Sequence, residues 1–137
     1  MDKTAFFLMR SGMGVNFIFH AVNRFYYGPG GFSSWMVTAF KDTFFPPSSI
    51  YAFSAALPYL EGVIGLALLA GFRTRIALVT AAAVMIALIV GSCMINQWDW
   101  VTFQVVYLIG FYILMKDIDS DRYSVDRILS KTKYQGI

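Results

Sequence analysis

Four long apolar segments dominate the sequence and restrict what the chain can fold into. They cover residues 4–24, 50–72, 76–95 and 98–115. A helix needs roughly 20 residues to cross the hydrocarbon core of a bilayer, and about 17 is the lower limit. Because lipid offers the backbone no hydrogen-bond partner, segments of this length cross as helices. The pattern predicts an all-α membrane protein, a bundle of four transmembrane helices.

The composition favours a membrane protein as well. Hydrophobic residues make up 58% of the chain and charged residues 14%, whereas soluble domains carry about 25% charged residues. The net charge of +3 does not indicate a nucleic-acid partner, because the basic residues flank apolar segments and form no patch. Arg10 interrupts the first segment and no cleavage motif of small residues follows it. We therefore expect a retained helix there and not a signal peptide.

Lysine and arginine are distributed unevenly between the two sides of this four-span arrangement. Of the 11 basic residues, only Arg24 and Lys41 fall on one side. The positive-inside rule then places both termini in the cytoplasm. Residues 1–115 would form the transmembrane domain and residues 116–137 a short polar cytoplasmic tail, in which Ser124 can cap one or two helical turns.

The connections between the segments differ in kind. The sequence GFRTR, residues 71–75, predicts a tight inner hairpin in which Gly71 closes the preceding helix. In the first outer connection, SSWMVTAFKDTFFPP has serines able to cap a helix and prolines 46 and 47 able to stop it. Its apolar residues fall near one helical face: Trp35, Met36, Ala39, Phe40 and Phe44. This predicts a short helix in the membrane–water interface, with a partly ordered loop over the bundle as the alternative.

Glu61 is the polar residue that most needs an explanation. It lies about 11 residues into the second span, which is roughly mid-bilayer at 1.5 Å per residue. A carboxylate there costs at least about 2.5 kcal/mol, so it must be neutral, paired or facing a wet cavity. Arg10, His20 and Arg24 of the first span are candidate partners. A structural ion pair, a functional site and an unpaired protonated carboxyl all stay open.

Further polar residues gather toward the outer half of the predicted bundle. His20 and Arg24 are one helical turn apart on one face, Cys93 lies near the outer end of the third span, and Gln104 and Tyr107 share a face of the fourth span. Above Glu61, this set has the donors to hydrogen-bond the carbonyls of a quinone whose tail lies in lipid. The same side chains could instead satisfy one another.

Several other chemistries lack the residues they need. One histidine and one cysteine, Cys93, with no C-x-x-C motif, make haem ligation or a structural zinc site improbable, so no metal site is predicted. The sequence GPGG at Gly28 follows no strand and is not a nucleotide-binding loop. No serine or cysteine has the histidine and acid that a nucleophile needs. We expect no free-standing enzyme, although the chain could be a subunit of a membrane oxidoreductase.

Much of the chain resembles the DoxX family of small bacterial four-helix membrane proteins. The likeness covers about residues 5–115 and includes Arg10, Gly14, the FIFH of residues 17–20, Arg24 and GPGGF. It is strongest in LPYLEGVIGLALLAGFRTR and continues into the alanine-rich start of the third span.

The resemblance implies a protein of the bacterial cytoplasmic membrane in a quinone-linked setting. The family was named for a subunit associated with quinone-linked oxidation of thiosulfate and with terminal oxidases, and its relatives include maturation factors and assembly helpers. Arg10, His20, Arg24, Glu61 and Arg75 occupy its recurrent polar positions, without an agreed catalytic role. No thiosulfate-processing motif is visible in this chain.

Two functional hypotheses follow. The first is an accessory subunit of a quinone-linked electron-transfer complex, with quinone as a ligand, no covalent cofactor, and other membrane subunits or further copies of the chain as partners. The second is a structural or assembly protein whose intramembrane polar residues hold its own bundle or client helices. A small-solute permease is less favoured, because four short spans enclose little space.

Overall fold

The computed structural model describes residues 1–135, with side chains through residue 130 apart from that of Pro29. This part of the chain contains helices and no strand. A single 3-10 turn, Ile118–Ser120, precedes the last of six α-helices: α1 Lys3–Tyr26, α2 Gly28–Ala39, α3 Pro47–Ala70, α4 Thr74–Met94, α5 Trp98–Lys116 and α6 Val125–Gln135. The final two residues of the predicted tail, 136–137, lie outside the described residues.

Four of the described helices, α1, α3, α4 and α5, are long and apolar enough to cross a membrane. The predicted all-α fold with four spanning helices is therefore confirmed. The helix α3 begins at Pro47, three residues before the predicted apolar segment. Proline fits this position because the first turn of a helix needs no donor from its backbone nitrogen.

The hairpin between α3 and α4 forms at the predicted glycine. Gly71 adopts a left-handed conformation with φ of +65°, which a residue without a Cβ takes at little cost. The N–H of Phe72 then donates to the carbonyl of Ala67 at 2.9 Å, which satisfies one of the last carbonyls of α3. At the other end of the chain, the Asp2 carboxylate caps α1 by accepting from the N–H groups of Ala5 and Thr4. These bonds lower the pKa of Asp2 below its ordinary value.

The first outer connection contains a helix, but its limits differ from the predicted ones. α2 begins at Gly28, so Ser33 and Ser34 lie inside the helix instead of capping it, and Pro47 starts α3 instead of stopping α2. Gly28, with φ of +76°, permits the break after α1 that lets a new helix begin so early. The location of α2 at a membrane–water interface stays a prediction.

The helices α1 and α3 approach each other closely through two glycines. A Cβ added to Gly14 would lie 2.9 Å from the carbonyl oxygen of Gly65, and one added to Gly65 would lie 2.7 Å from the side chain of Ile18. Real side chains do not tolerate such contacts, so only glycine allows this separation of the two backbones. Small residues at helix contacts are typical of membrane bundles, where close packing provides the attraction.

The second tightly packed pair is α4 with α5, and it joins the first pair through the contact of α3 with α4 and a smaller contact of α5 with α1. There Phe17 of α1 and Phe111 of α5 form a ring pair with centroids 5.9 Å apart. Gly110 lies beside Met13 and leaves room for its side chain. Both phenylalanines belong to a buried apolar core, which also includes Phe6, Leu57, Ile64, Leu68, Leu78, Ala81 and Leu114.

The fully buried Arg10 fastens the segment after α5 to the bundle. Its Nη1 donates to the carbonyls of Leu68 and Leu69 at the end of α3, and its Nη2 donates to the carbonyl of Tyr123 at 2.7 Å. Its Nε lies 3.6 Å from Oδ1 of Asp121. One side chain thereby ties α1, the end of α3 and the C-terminal segment together.

The N-terminus and the beginning of α6 lie at one end of the bundle, which we call the end that carries the termini. The N-terminal amine is 3.4 Å from the carboxylate of Asp117, just after α5. Asp126 caps α4, because its two carboxylate oxygens accept from the N–H groups of Arg73 and Thr74 at 2.7 and 2.8 Å. The predicted cap at Ser124 is present, with its hydroxyl 3.4 Å from the N–H of Arg127.

Replacing Gly14 by Ala tests the close approach of α1 and α3. We expect the substitution to lower the free energy of unfolding by about 1–3 kcal/mol, the usual cost of overpacking. Gly12→Ala is the matched control, because a Cβ at Gly12 meets nothing within 4 Å. Thermal unfolding of both variants in one mild detergent measures the difference. Equal stability of the two would contradict the described packing.

Candidate functional site

A cavity of about 1160 Å³ lies in the half of the bundle opposite the end that carries the termini, which we call the distal half. It is bounded by α1, α3, α4 and α5, with α2 across them. Most of its lining is apolar or aromatic. Five of the six polar residues that the sequence placed together in the outer half line this one cavity: His20, Arg24, Glu61, Gln104 and Tyr107.

Arg24 and Glu61 form an ion pair in the wall of the cavity. Nη2 of Arg24 lies 3.3 Å from Oε1 of Glu61, and the two side chains are 15% and 4% exposed. The guanidinium also lies over the ring of Phe32, 4.6 Å from its centroid, which is a favourable cation–π geometry. Glu61 therefore has a cation beside it where lipid and protein would otherwise leave its charge unsolvated.

The stripe of small and polar residues on α3 accounts for the direction of Glu61. Ser54, Pro58, Glu61 and Gly65 are all buried, as their spacing along one helical face implies. On α1, Arg24 lies in the last turn before the break at Tyr27. The close contact through the glycines of α1 and α3 brings the two charges to the same side of the bundle.

Three buried polar atoms around the cavity have no hydrogen-bond partner among the described residues. They are Nη1 of Arg24, Oε2 of Glu61 and Oε1 of Gln104. One is a donor and two are acceptors, so they offer a ligand both kinds of bond. Buried polar groups in folded proteins are nearly always paired. A cluster of open positions beside a large cavity is therefore what a site for a polar head group requires.

Gln104 and Tyr107 contribute the wall formed by α5. Nε2 of Gln104 donates to the hydroxyl of Ser92 on α4 at 2.9 Å, and its buried carbonyl oxygen has no partner among the described residues. Tyr107 packs by its ring against Phe111, with centroids 6.4 Å apart. The ring of Tyr107 and the pair of Phe111 and Phe17 lie at the end of the cavity opposite its distal end.

His20 is exposed and lines the cavity. It belongs to a polar row on α1 that the sequence analysis did not single out: Asn16, His20, Asn23 and Tyr27 all line the cavity. Their spacing of four, three and four residues is the helical repeat of a single face. The same periodicity that identified the stripe on α3 would have found this row on α1.

Aromatic rings cover the distal end of the cavity. Phe32 and Trp35 of α2 are stacked with centroids 6.1 Å apart, and Trp35 lies 5.9 Å from Trp100 of α5. All three rings line the cavity. They give the distal end of the cavity an apolar lining on which flat, conjugated ligands can stack.

Three other residues from the sequence analysis lie elsewhere. Arg10 was a candidate partner of Glu61, but it lies at the end that carries the termini and pairs with Asp121. Cys93 is half-buried in α4 and does not line the cavity, and Arg75 is exposed near the start of α4. Among residues with described side chains, no three histidine, cysteine or acidic side chains lie close enough to hold a metal ion.

A sequence model of the DoxX family matches residues 5–93, about two thirds of the chain. The chain belongs to the DoxX family. No curated protein matches it, and neither does any solved structure.

The match divides the candidate site into two parts. His20, Arg24 and Glu61 lie within the DoxX region, whereas Gln104 and Tyr107 on α5 lie beyond its end at residue 93. The ion pair and the polar row of α1 are therefore features of the DoxX part of the chain. The helix α5 completes the cavity around them.

Replacing one member of the ion pair tests whether the two charges depend on each other. We expect Arg24→Gln to lower the free energy of unfolding by about 3 kcal/mol, because it leaves a carboxylate buried without its cation. The double variant Arg24→Gln with Glu61→Gln should regain most of that loss. Thermal unfolding of the two single variants and the double variant in detergent gives the coupling. Purely additive losses would show that the charges do not stabilise each other.

Proposed function

We propose that this DoxX-family protein binds a quinone in its distal cavity and serves as an accessory subunit of a quinone-linked electron-transfer complex. The observation that carries the proposal is the group of three open polar atoms, from Arg24, Glu61 and Gln104, in the wall of a large apolar cavity. A quinone has the matching form, since a flat polar ring is joined to an apolar tail.

The size and lining of the cavity suit such a ligand. Small-molecule sites usually measure about 300–1,000 Å³ and are mostly apolar, with a few placed polar groups. At about 1160 Å³ the cavity has room for a head group and the beginning of a tail. The rings of Phe32, Trp35 and Trp100 can stack on a conjugated ring at the distal end of the cavity.

The polar groups divide into donors and acceptors for the head group. Nη1 of Arg24 can donate to a carbonyl oxygen, and His20 can donate from a ring nitrogen. Oε2 of Glu61 can accept from a hydroxyl of the reduced quinone. The oxidised quinone has a carbonyl in that position, and a carbonyl cannot donate. Bound quinone would supply reversible uptake of two electrons and two protons; the residues of the chain would orient it and hold its protons.

The electrons would come from a partner subunit. The chain has one cysteine, which is too few to hold an iron–sulfur cluster, and one histidine, which cannot provide a bis-histidine haem site. We therefore place the redox group in another subunit and assign quinone binding to this one. The proposed location is the bacterial cytoplasmic membrane with both termini in the cytoplasm. The positive-inside rule supports it, as does the presence of the N-terminus and the beginning of α6 at one end.

A structural or assembly role is the second candidate, and the Arg24–Glu61 pair favours it. The pair joins α1 to α3 at 3.3 Å, and it would hold these helices in register without any ligand. Glu61→Gln separates the two roles, because the amide keeps an oxygen for Arg24 and removes the charge. Retained assembly with loss of quinone-linked turnover supports the quinone site. Loss of the protein from the membrane supports the structural role.

Purification from native membranes tests the proposal directly. The tagged chain is isolated in mild detergent, co-purifying proteins are identified by mass spectrometry, and quinone is extracted from the same sample. We expect quinone together with a stoichiometric partner that carries haem, flavin or iron–sulfur. A chain alone or with its own copies, without quinone or pigment, would leave the structural role as the better account.

Gln104→Leu tests the α5 side of the site in the purified protein. We expect it to weaken binding of a short-chain quinol about tenfold, because Oε1 of Gln104 can accept from a quinol hydroxyl and the loss of one such hydrogen bond is worth about 1.4 kcal/mol. Quenching of tryptophan fluorescence reports binding, since Trp35 and Trp100 line the cavity. Gln97→Leu is the matched control, because Gln97 is exposed and does not line it. Equal affinities of the two variants would remove Gln104 from the site.

A further inference from the structure

The acidic side chains at the end that carries the termini are mostly used in contacts within the chain. Asp121 pairs with Arg10 and accepts from the hydroxyl of Thr74 at 2.8 Å. Both carboxylate oxygens of Asp126 cap α4, and Asp117 lies beside the N-terminal amine. These three carboxylates therefore have little capacity left to neutralise further positive charge.

Exposed arginines surround them without acidic partners. We call the set the arginine face: Arg73, Arg75, Arg122 and Arg127. All four are exposed, and none forms an ion pair with any side chain in residues 1–130 whose position is described. Asp119 is the one exposed aspartate in the segment between α5 and α6. The face therefore has a clear excess of positive charge.

The contacts of α6 fix the arginine face at the boundary of the hydrocarbon core. The N–H of Asp126 donates to the carbonyl of Gly71 at 3.0 Å, at the hairpin between α3 and α4. Because both helices are long enough to cross a membrane, their hairpin lies where the hydrocarbon ends. The beginning of α6 must lie at the same level.

Exposed apolar and aromatic side chains lie beside the arginines. Phe72 is 44% exposed, Tyr123 is 58% exposed and Leu129 of α6 is 54% exposed. Aromatic rings are enriched where head groups meet hydrocarbon. A helix that combines apolar and basic residues at this level is typical of segments that lie on a membrane surface.

We propose that α6 and the arginine face dock on anionic phospholipid head groups of the leaflet nearest the termini. The arginines would contact the phosphates, and Leu129 would enter the boundary of the acyl chains. The excess charge selects this partner, because basic residues near an anionic membrane surface are attracted to it. The proposal does not depend on a ligand in the distal cavity.

Reconstitution in nanodiscs of two compositions tests the docking. One set contains only phosphatidylcholine and the other contains phosphatidylcholine with one quarter phosphatidylglycerol. We expect the anionic lipid to raise the Tm of the full chain by about 3 °C. The double variant Arg122→Gln with Arg127→Gln should lose at least half of that increase. Lys41→Gln is the control, because Lys41 is exposed between α2 and α3 and should leave the increase intact.

Three outcomes would overturn the proposal. The Tm of the wild-type chain could be equal in the two kinds of disc, or the double variant could keep the full increase. Soluble glycerol phosphate could also reproduce the increase in phosphatidylcholine discs, which would indicate a site for free anions and not a lipid surface. Quinone binding by the double variant, measured in parallel, should be unchanged, so either proposal can fail without the other.

Discussion

A carboxylate in the middle of a membrane-spanning helix is costly unless it is neutralised, and the packing of α1 on α3 brings a cation to Glu61. The helices are antiparallel and touch at Gly14 and Gly65. In that register, Arg24 and Glu61 start about six residues, or roughly 9 Å, apart along the bundle axis. Side chains lean toward the N-terminus of their own helix. Arg24 and Glu61 therefore lean toward each other, and their lengths span the gap.

The cavity is a consequence of where the remaining helices meet. The helix α1 is held against α3, and α5 is held against α4 by the bond from Gln104 to Ser92. The two pairs are joined where α3 packs on α4 and where Phe17 of α1 meets Phe111 of α5. Distal to those rings the helices enclose the cavity, and α2 lies across it with Phe32 and Trp35. An apolar cavity with a charged wall is the result.

Local and periodic features were readable from the sequence, and contacts between distant segments were not. Apolar length predicted the four spans, and the glycine of GFRTR predicted the hairpin at Gly71. The limits of α2 were predicted wrongly. The glycines and proline of residues 28–31 suggest a turn, but in the structure the helix already begins at Gly28. The partner of Arg10 was missed because Asp121 is more than 100 residues away in an unremarkable polar tail. For Glu61 the sequence named three possible partners, and only the register of α1 on α3 selects Arg24.

The state of the pair itself favours a ligand over a purely structural role. A structural ion pair in an apolar wall is stable only if its remaining donors and acceptors are also satisfied. Here one guanidinium nitrogen and one carboxylate oxygen stay open, and a third open atom belongs to Gln104 on the opposite pair of helices. Water in the cavity could satisfy them, but a wet cavity lined mostly by aromatic and aliphatic groups is costly. A reduced quinone has hydroxyls that can donate to the two unpaired acceptors, an oxygen that can accept from Arg24, and an apolar tail that suits the lining. This fit to both the unpaired atoms and the lining is why we prefer the quinone hypothesis to a purely structural role.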